Sequence, residues 1–387
     1  MIGKRRLRAL LFAALGFALW AGAARAQALD EAMGLALGGV DFPALQGALD
    51  GMLSPGAAVD ARDLVDNLAQ GRYALDAGAL LRRLAALLWD NIRDNAGLAA
   101  LLLAPAVLCG VLAQMRAAFE EESVAQIAHY ACFVLVCAPM IHNLVAQVNA
   151  ARATADGMYA GMQALFPVLL TLLAAVGGNA SSAFFQPAVI AAGGSMTAVV
   201  RDVTLNLALC CAAITVVNHL SSRVHLQRLG GLLRTVANWV LGVCFTVFIG
   251  VMTVQGMSVA AVDGVSIRTA KYVIDSFVPV VGGMFADTVD ALVGCSLLVK
   301  NAVGLVGLMA LTLYVAAPLA KLLATMLIYR LCAALLEPVA DARVVACVGG
   351  FADVLMLVFI TLLCMGVMFF LLIAQLLVVG NLTVMLR

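Results

Sequence analysis

The sequence predicts an all-α, polytopic helical membrane protein, and three observations support that fold class. Hydrophobic residues make up 64% of the 387 residues and charged residues only 12%, whereas soluble domains carry about 25% charged residues. Mean hydropathy is +1.05. The apolar runs are continuous rather than alternating, which favours spanning helices over a membrane β-barrel. This composition excludes a soluble enzyme, and a net charge of +1 gives no field that would attract nucleic acid.

The first 26 residues have the pattern of a cleavable signal peptide. A basic cluster precedes a short apolar stretch at residues 10–20, and Ala24-Arg25-Ala26 forms an A-x-A cleavage site. The apolar stretch is shorter than the about 20 residues that a spanning helix needs. The alternative is an uncleaved signal anchor, and both interpretations export the residues that follow. The basic residues are Lys4, Arg5, Arg6 and Arg8.

Residues 27–97 are predicted to form a small helical extracytoplasmic segment. They contain ten of the 22 acidic residues of the chain, and Gly and Pro separate short helical patterns. Leucines between residues 80 and 88 recur at helical spacing, with arginines between them, which predicts an amphipathic helix. That helix could lie on the bilayer surface or pack against a partner. Alternatively, the segment folds as a small bundle that packs on itself.

Residues 98–387 are predicted to be a transmembrane domain, which gives the fold about eight to ten spans in all. Export of residues 27–97 places the loop at 221–235 in the cytoplasm. That loop contains Arg223, Arg228 and Arg234 and no acid, as the positive-inside rule requires. The predicted spans lie near residues 98–114, 124–148, 161–178, 183–200, 203–220, 236–262, 301–320, 322–336 and 353–379.

The sequence contains no motif that indicates catalysis. A phosphate-binding loop, a dinucleotide-binding glycine motif and a zinc-protease H-E-x-x-H motif are all absent. The ten cysteines show no C-x-x-C pair. We therefore expect a protein that is not an enzyme and has no cofactor or metal. Gly157-x-x-x-Gly161 and the small residues at 191–195 allow helices to approach closely, either within the chain or with a partner.

The segment at residues 263–300 is the candidate functional region, because it is apolar and yet carries seven charged residues. Charges at membrane depth cost about 2.5–3.5 kcal/mol each, so they usually pair or line a wet cavity. Pro279 and Gly282-Gly283 predict a helix break. The segment is therefore predicted to re-enter the membrane or line a pathway, or, alternatively, to be an interfacial connector whose charges reach water. The candidate pathway or partner-contact residues are Asp263, Arg268, Lys271, Asp275, Asp287, Asp290 and Lys300.

Six stretches of the sequence carry a resemblance to a known family. They are 166–173 (FPVLLTLL), 250–256 (GVMTVQG), 268–272 (RTAKY), 277–282 (FVPVVG), 298–304 (LVKNAVG) and 334–338 (ALLEP). These stretches resemble the stage III sporulation protein AE family of endospore-forming bacteria. The resemblance covers most of residues 165–353, and the part from 268 to 304 is fairly specific. Before residue 98 only the layout is similar, a signal peptide followed by an exported segment.

The resemblance implies a role in sporulation rather than a reaction. It implies a multi-pass protein of the mother-cell membrane surrounding the forespore, within a secretion-like channel complex that sustains forespore development. Expected partners are other membrane proteins of the same operon, a separate cytoplasmic ATPase and, indirectly, ring-forming proteins between the membranes. The surrounding lipid bilayer is a further partner, and nucleic acid is not. The alternative function is a self-sufficient transporter or permease driven by an ion gradient, with Asp287 and Asp290 binding the coupling ion.

Overall fold

The computed structural model describes residues 32–52, 60–69, 77–115, 122–220, 226–277 and 282–385, without the side chains of several stretches such as 112–129 and 256–291. The predicted signal peptide at 1–26 lies outside the described residues. After a helical stretch at 32–38, ten α-helices follow. They are α1 (Phe42–Met52), α2 (Ala61–Ala69), α3 (Ala77–Asp94), α4 (Ala96–Met115), α5 (Glu122–Ala175), α6 (Asn179–Ala198), α7 (Leu205–Leu220), α8 (Gln227–Phe277), α9 (Gly282–Leu336) and α10 (Ala342–Met385), with a π-helix (Val199–Thr204) between α6 and α7.

The core of the protein lies where α9 and α10 pack along each other, with α5 against both. Val303, Phe351 and Leu355 are fully buried there. Helices α9 and α10 are apolar on most sides, so they bury side chains against one another while their backbone groups are paired within each helix. Most cysteines contribute to this packing as small buried side chains, with Cys137 and Cys347 in sulfur contact at 3.8 Å.

The all-α membrane fold is confirmed, but the described residues contain six helical stretches long and apolar enough to cross a membrane. Three of them merge pairs of predicted spans. The 54-residue α5, for example, is about 80 Å long at 1.5 Å per residue, and it continues through Pro139 and Pro167. The six stretches are Leu81–Val111, Phe133–Ala175, Ser181–Leu220, Gln227–Gln255, Leu292–Leu336 and Ala342–Leu382.

Helices α1, α2 and α3 pack on later helices of the chain, and α3 also forms the first part of the candidate stretch Leu81–Val111. In this arrangement α1 contacts α5, while α2 and α3 contact α9. Leu45 of α1 and Val65 of α2 are fully buried in the same apolar core as α9 and α10. Leu84 and Leu88 of α3 are half-buried and line a cavity with residues of α9, whereas Leu81 and Trp89 are 66% and 69% exposed. The amphipathic stripe therefore packs against the chain's own membrane helices on one side.

The small residues found in the sequence serve contacts within the chain. A Cβ on Gly157 would overlap the Tyr314 hydroxyl of α9, and one on Gly161 would overlap Met52 of α1. A Cβ on Gly193 would lie 3.4 Å from both Phe369 and Tyr159. Of the two alternatives for these positions, the structure supports packing within the chain.

Candidate functional site

The seven predicted site residues lie on two long helices. Asp263, Arg268, Lys271 and Asp275 belong to α8, and Asp287, Asp290 and Lys300 belong to α9. The backbone is helical up to Phe277 and again from Gly282. The predicted break at Pro279 and the side chains of the six residues from Asp263 to Asp290 lie outside the described part of the structure. Lys300 is the member whose surroundings can be described.

Lys300 is buried between α9 and α10, with 1% of its surface exposed. Its Nζ donates hydrogen bonds to the backbone oxygens of Leu377, at 3.0 Å, and Leu376, at 3.5 Å. Both acceptors belong to α10, where these backbone oxygens also accept the hydrogen bonds of the helix. Among the described side chains, no carboxylate lies within ion-pair distance of this ammonium group.

Two glycines create the space that Lys300 and its helix need. A Cβ on Gly380 would overlap the Nζ of Lys300, and a Cβ on Gly304 would overlap the side chain of Leu377. Glycine at both positions lets α9 and α10 come close enough for a lysine side chain to reach carbonyl oxygens of the neighbouring helix. The position of Lys300 therefore depends on the glycine of the opposite helix.

Further polar contacts surround this point and connect three helices. The Nδ2 of Asn301 donates to the Oδ1 of Asn381 at 3.1 Å, which links α9 to α10. The Nε2 of Gln375 donates to the backbone oxygen of Met252, which links α10 to α8. We call Lys300, Asn301, Gln375, Gly380 and Asn381 the lysine site.

The lysine site joins parts of the chain that are far apart in sequence. Met252 lies in the stretch 250–256 and Lys300 in the stretch 298–304, and both meet the last third of α10. A charged group whose described partners are all neutral, inside apolar helices, is costly. Such groups mark pathways or contacts with partners more often than structural supports. Chemically, the site can donate hydrogen bonds or receive an anion, and its described residues contain no group of metal ligands.

A second polar group, which the sequence analysis missed, lies at the end of the bundle where α9 leads into α10. The Oδ2 of Asp353 is 3.1 Å from Nη1 of Arg234, and its Oδ1 is 3.5 Å from Nη2 of Arg330. The three residues belong to α10, α8 and α9, and we call them the arginine triad. The signal available in the sequence was Asp353 and Arg330, each a charged residue in or beside an apolar run. Their pairing depends on the tertiary fold, which the sequence alone does not show.

A third polar group explains why predicted spans merge. On α5, Arg152 donates to the Oδ1 of Asn206, and Asp156 lies 3.5 Å from Arg201. Residue 201 lies in the π-helix and residue 206 lies just after it. The two residues are five apart, which equals the hydrogen-bond spacing of a π-helix. Both side chains contact α5. The charges thereby find partners across the helices, and the chain does not have to form loops at these positions.

Comparison with known proteins adds evidence from relatives. The family model described as "Stage III sporulation protein AE" matches residues 59–380. A protein of Bacillus subtilis (strain 168), named "Stage III sporulation protein AE", is 31% identical over 307 residues, which cover 79% of this chain and 77% of the relative. Neither description denotes an enzyme. No solved structure matches.

Proposed function

Because this chain belongs to the stage III sporulation protein AE family, we propose that it is a non-enzymatic component of a secretion-like channel complex linking mother cell and forespore. In this proposal it is a multi-pass protein of the mother-cell membrane surrounding the forespore. The family match over residues 59–380 carries the proposal. The helical bundle with six candidate spans is consistent with it.

The proposal gives the chain partners that supply what its sequence lacks. Because the sequence contains no phosphate-binding loop, a separate cytoplasmic ATPase would provide energy. Other membrane proteins of the same operon would contact the chain directly, and ring-forming proteins between the two membranes would contact it indirectly. If the rest of the complex still assembles on this chain in a strain that lacks the operon neighbours, the arrangement is contradicted.

The lysine site is the proposed functional contact. Its buried ammonium group, bound to the carbonyl oxygens of Leu376 and Leu377, is the kind of group that lines a pathway or binds a partner in the membrane. Asp287 and Asp290 remain candidates on the same helix, three residues apart and therefore on one face. Position 290 is ten residues from Lys300, about 15 Å along the axis, so the acids and the lysine are tested separately.

The experiment is complementation of a strain that lacks this gene. The strain should fail after engulfment, with low late forespore gene expression and low spore yield, and the wild-type gene should restore both. Asp287→Ala combined with Asp290→Ala should restore neither while the protein reaches normal levels in the membrane. Normal spore yield in the deletion strain would refute the proposed function, and normal yield in the double variant would remove the two acids from the site.

The second candidate is a self-sufficient permease, and the buried Lys300 is the observation that favours it, since charged groups in membrane helices also occur in ion-coupled transporters. Uptake by the purified chain in vesicles distinguishes the two functions. Uptake that depends on a proton or sodium gradient would support the permease. Transport that occurs in vesicles with the assembled complex and not in vesicles with the chain alone would support the channel component.

A further inference from the structure

The arginine triad contains two positive groups and one negative group. The exposed fractions of the Arg234, Arg330 and Asp353 side chains are 38%, 57% and 42%. Asp353 contacts both guanidinium groups, so it holds them close together while neutralising only one charge. The polar group on α5 and the π-helix has a different ratio of basic to acidic residues, because Arg201 contacts two acids, Asp156 and Asp202. The triad therefore has an excess positive charge that a half-exposed site can share with an anion.

The three residues of the triad lie within the first or last three to four turns of their helices. Arg234 is seven residues after the start of α8, and Arg330 is six residues before the end of α9. At 1.5 Å per residue these positions are about 10 Å from the helix ends. The headgroup layer on each side of a bilayer is about 5–8 Å thick. All three helices are candidate spans, and the proposal places this end of the bundle at the membrane surface, where the long arginine side chains extend toward the headgroups.

Small residues leave open space one helical turn outside the triad. Gly231 precedes Arg234 on α8, and Gly349 precedes Asp353 on α10. A Cβ built on either glycine would have no atom within 4 Å. The corresponding position on α9 is Ala334, which is exposed. The two glycines thus leave open space on α8 and α10 within one helical turn of the triad.

We propose that the arginine triad binds the phosphate of an anionic phospholipid of the phosphatidylglycerol type, independently of the proposed function. Guanidinium groups donate paired hydrogen bonds to phosphate oxygens, and Asp353 orients both of them. Basic sites between membrane helices bind anionic headgroups in this way. The other described charges near this end are the exposed Arg228, Arg343 and Glu337 and the half-buried Asp341, which accepts a hydrogen bond from the Arg343 backbone. Their charges cancel one another.

The experiment titrates the purified full chain in neutral detergent with phosphatidylglycerol, phosphatidylcholine or inorganic phosphate, and measures bound lipid by native mass spectrometry. Each basic residue near an anionic surface contributes about 1 kcal/mol, so phosphatidylglycerol should bind at least about fivefold more tightly than phosphatidylcholine. Arg330→Gln should remove this preference. Gly349→Leu should remove it as well, because its side chain fills the open space and leaves the three charged residues in place.

Arg201→Gln is the matched control, since Arg201 is also half-exposed and ion-paired but faces two acids. It should retain the lipid preference. Gly231→Leu provides a second space-filling variant if Gly349→Leu lowers the melting temperature. A preference that persists in Arg330→Gln and in the space-filling variant would overturn the proposal. Equal competition by inorganic phosphate would also overturn it, because the site would then bind free phosphate rather than a lipid.

Discussion

Replacing Lys300 by methionine separates the functional role of the lysine site from its role in folding. Methionine is nearly as long as lysine but carries no charge, so it fills the same space between α9 and α10. The substitution removes the hydrogen bonds from Nζ to the backbone oxygens of Leu377, at 3.0 Å, and Leu376, at 3.5 Å. These two oxygens lie in the interior of α10 and keep their backbone partners, so no buried acceptor is left unsatisfied.

The opposing free energies are of similar size. A hydrogen bond from a charged donor contributes about 1.5–3 kcal/mol, and only the 3.0 Å bond has a normal length. Placing a lysine within a membrane helix costs about 2.5–3.5 kcal/mol, a cost that methionine does not have. We therefore expect Lys300→Met to change the free energy of unfolding by no more than about 1 kcal/mol in either direction.

The assay measures protein level in the membrane, melting temperature and spore yield in the complemented deletion strain. Lys300→Met should keep the first two near wild type and lower spore yield at least about tenfold, by analogy with other membrane-embedded charges. Lys321→Met is the matched control, because Lys321 is exposed on the same helix, and it should sporulate normally. A large drop in melting temperature would show that Lys300 is structural, and a normal spore yield would show that its charge is dispensable.

Three further predictions concern packing, charge pairing and topology. Gly380→Ala should lower the melting temperature because its Cβ would overlap Nζ of Lys300. Adding Lys300→Ala in the same chain should reverse much of that loss, and equal losses with and without Lys300→Ala would contradict the contact. Asp353→Asn should lower the free energy of unfolding by about 1 kcal/mol or less, because the triad is half-exposed, and a larger loss in thermal or denaturant unfolding would argue against this reasoning. In a cysteine-free background, an impermeant reagent outside the cell should label a cysteine at Asp60 and not one at Gln227; the reverse pattern would overturn the predicted orientation.

The fold class was predictable from the sequence because it depends on composition. A chain with 12% charged residues has to bury its backbone polar groups in helices within a membrane. Lys300 was also identifiable, since a lysine in an apolar stretch is visible without a structure. Its acceptors were not identifiable, because Leu376 and Leu377 contribute only backbone oxygens, and every residue has one.

Three pairs of predicted spans form single helical stretches in the structure, because the charged residues between them lie inside helices and not in loops. Arg152 and Asp156 lie inside α5, and Arg201 lies inside the π-helix. The Arg201 and Asp156 side chains are about half-exposed and contact each other across the helices, so the helices continue through these positions. Lys321 shows a simpler case, since its side chain is exposed and α9 continues past it. Pairing between distant residues decides such cases, and a single sequence does not reveal it.

The balance of charge and the degree of burial together distinguish the three polar groups. Arg201 contacts two acids, Asp156 and Asp202, and Arg152 donates to Asn206, so the two arginines and two acids of that group carry no net charge. The arginine triad has one excess charge, but its exposed side chains can share that charge with a headgroup. Lys300 also has one excess charge among the described side chains, and with 1% exposure no headgroup reaches it. Lys300 is therefore the charge that the described contacts leave unbalanced, which is why Lys300→Met is the substitution that tests for a functional contact.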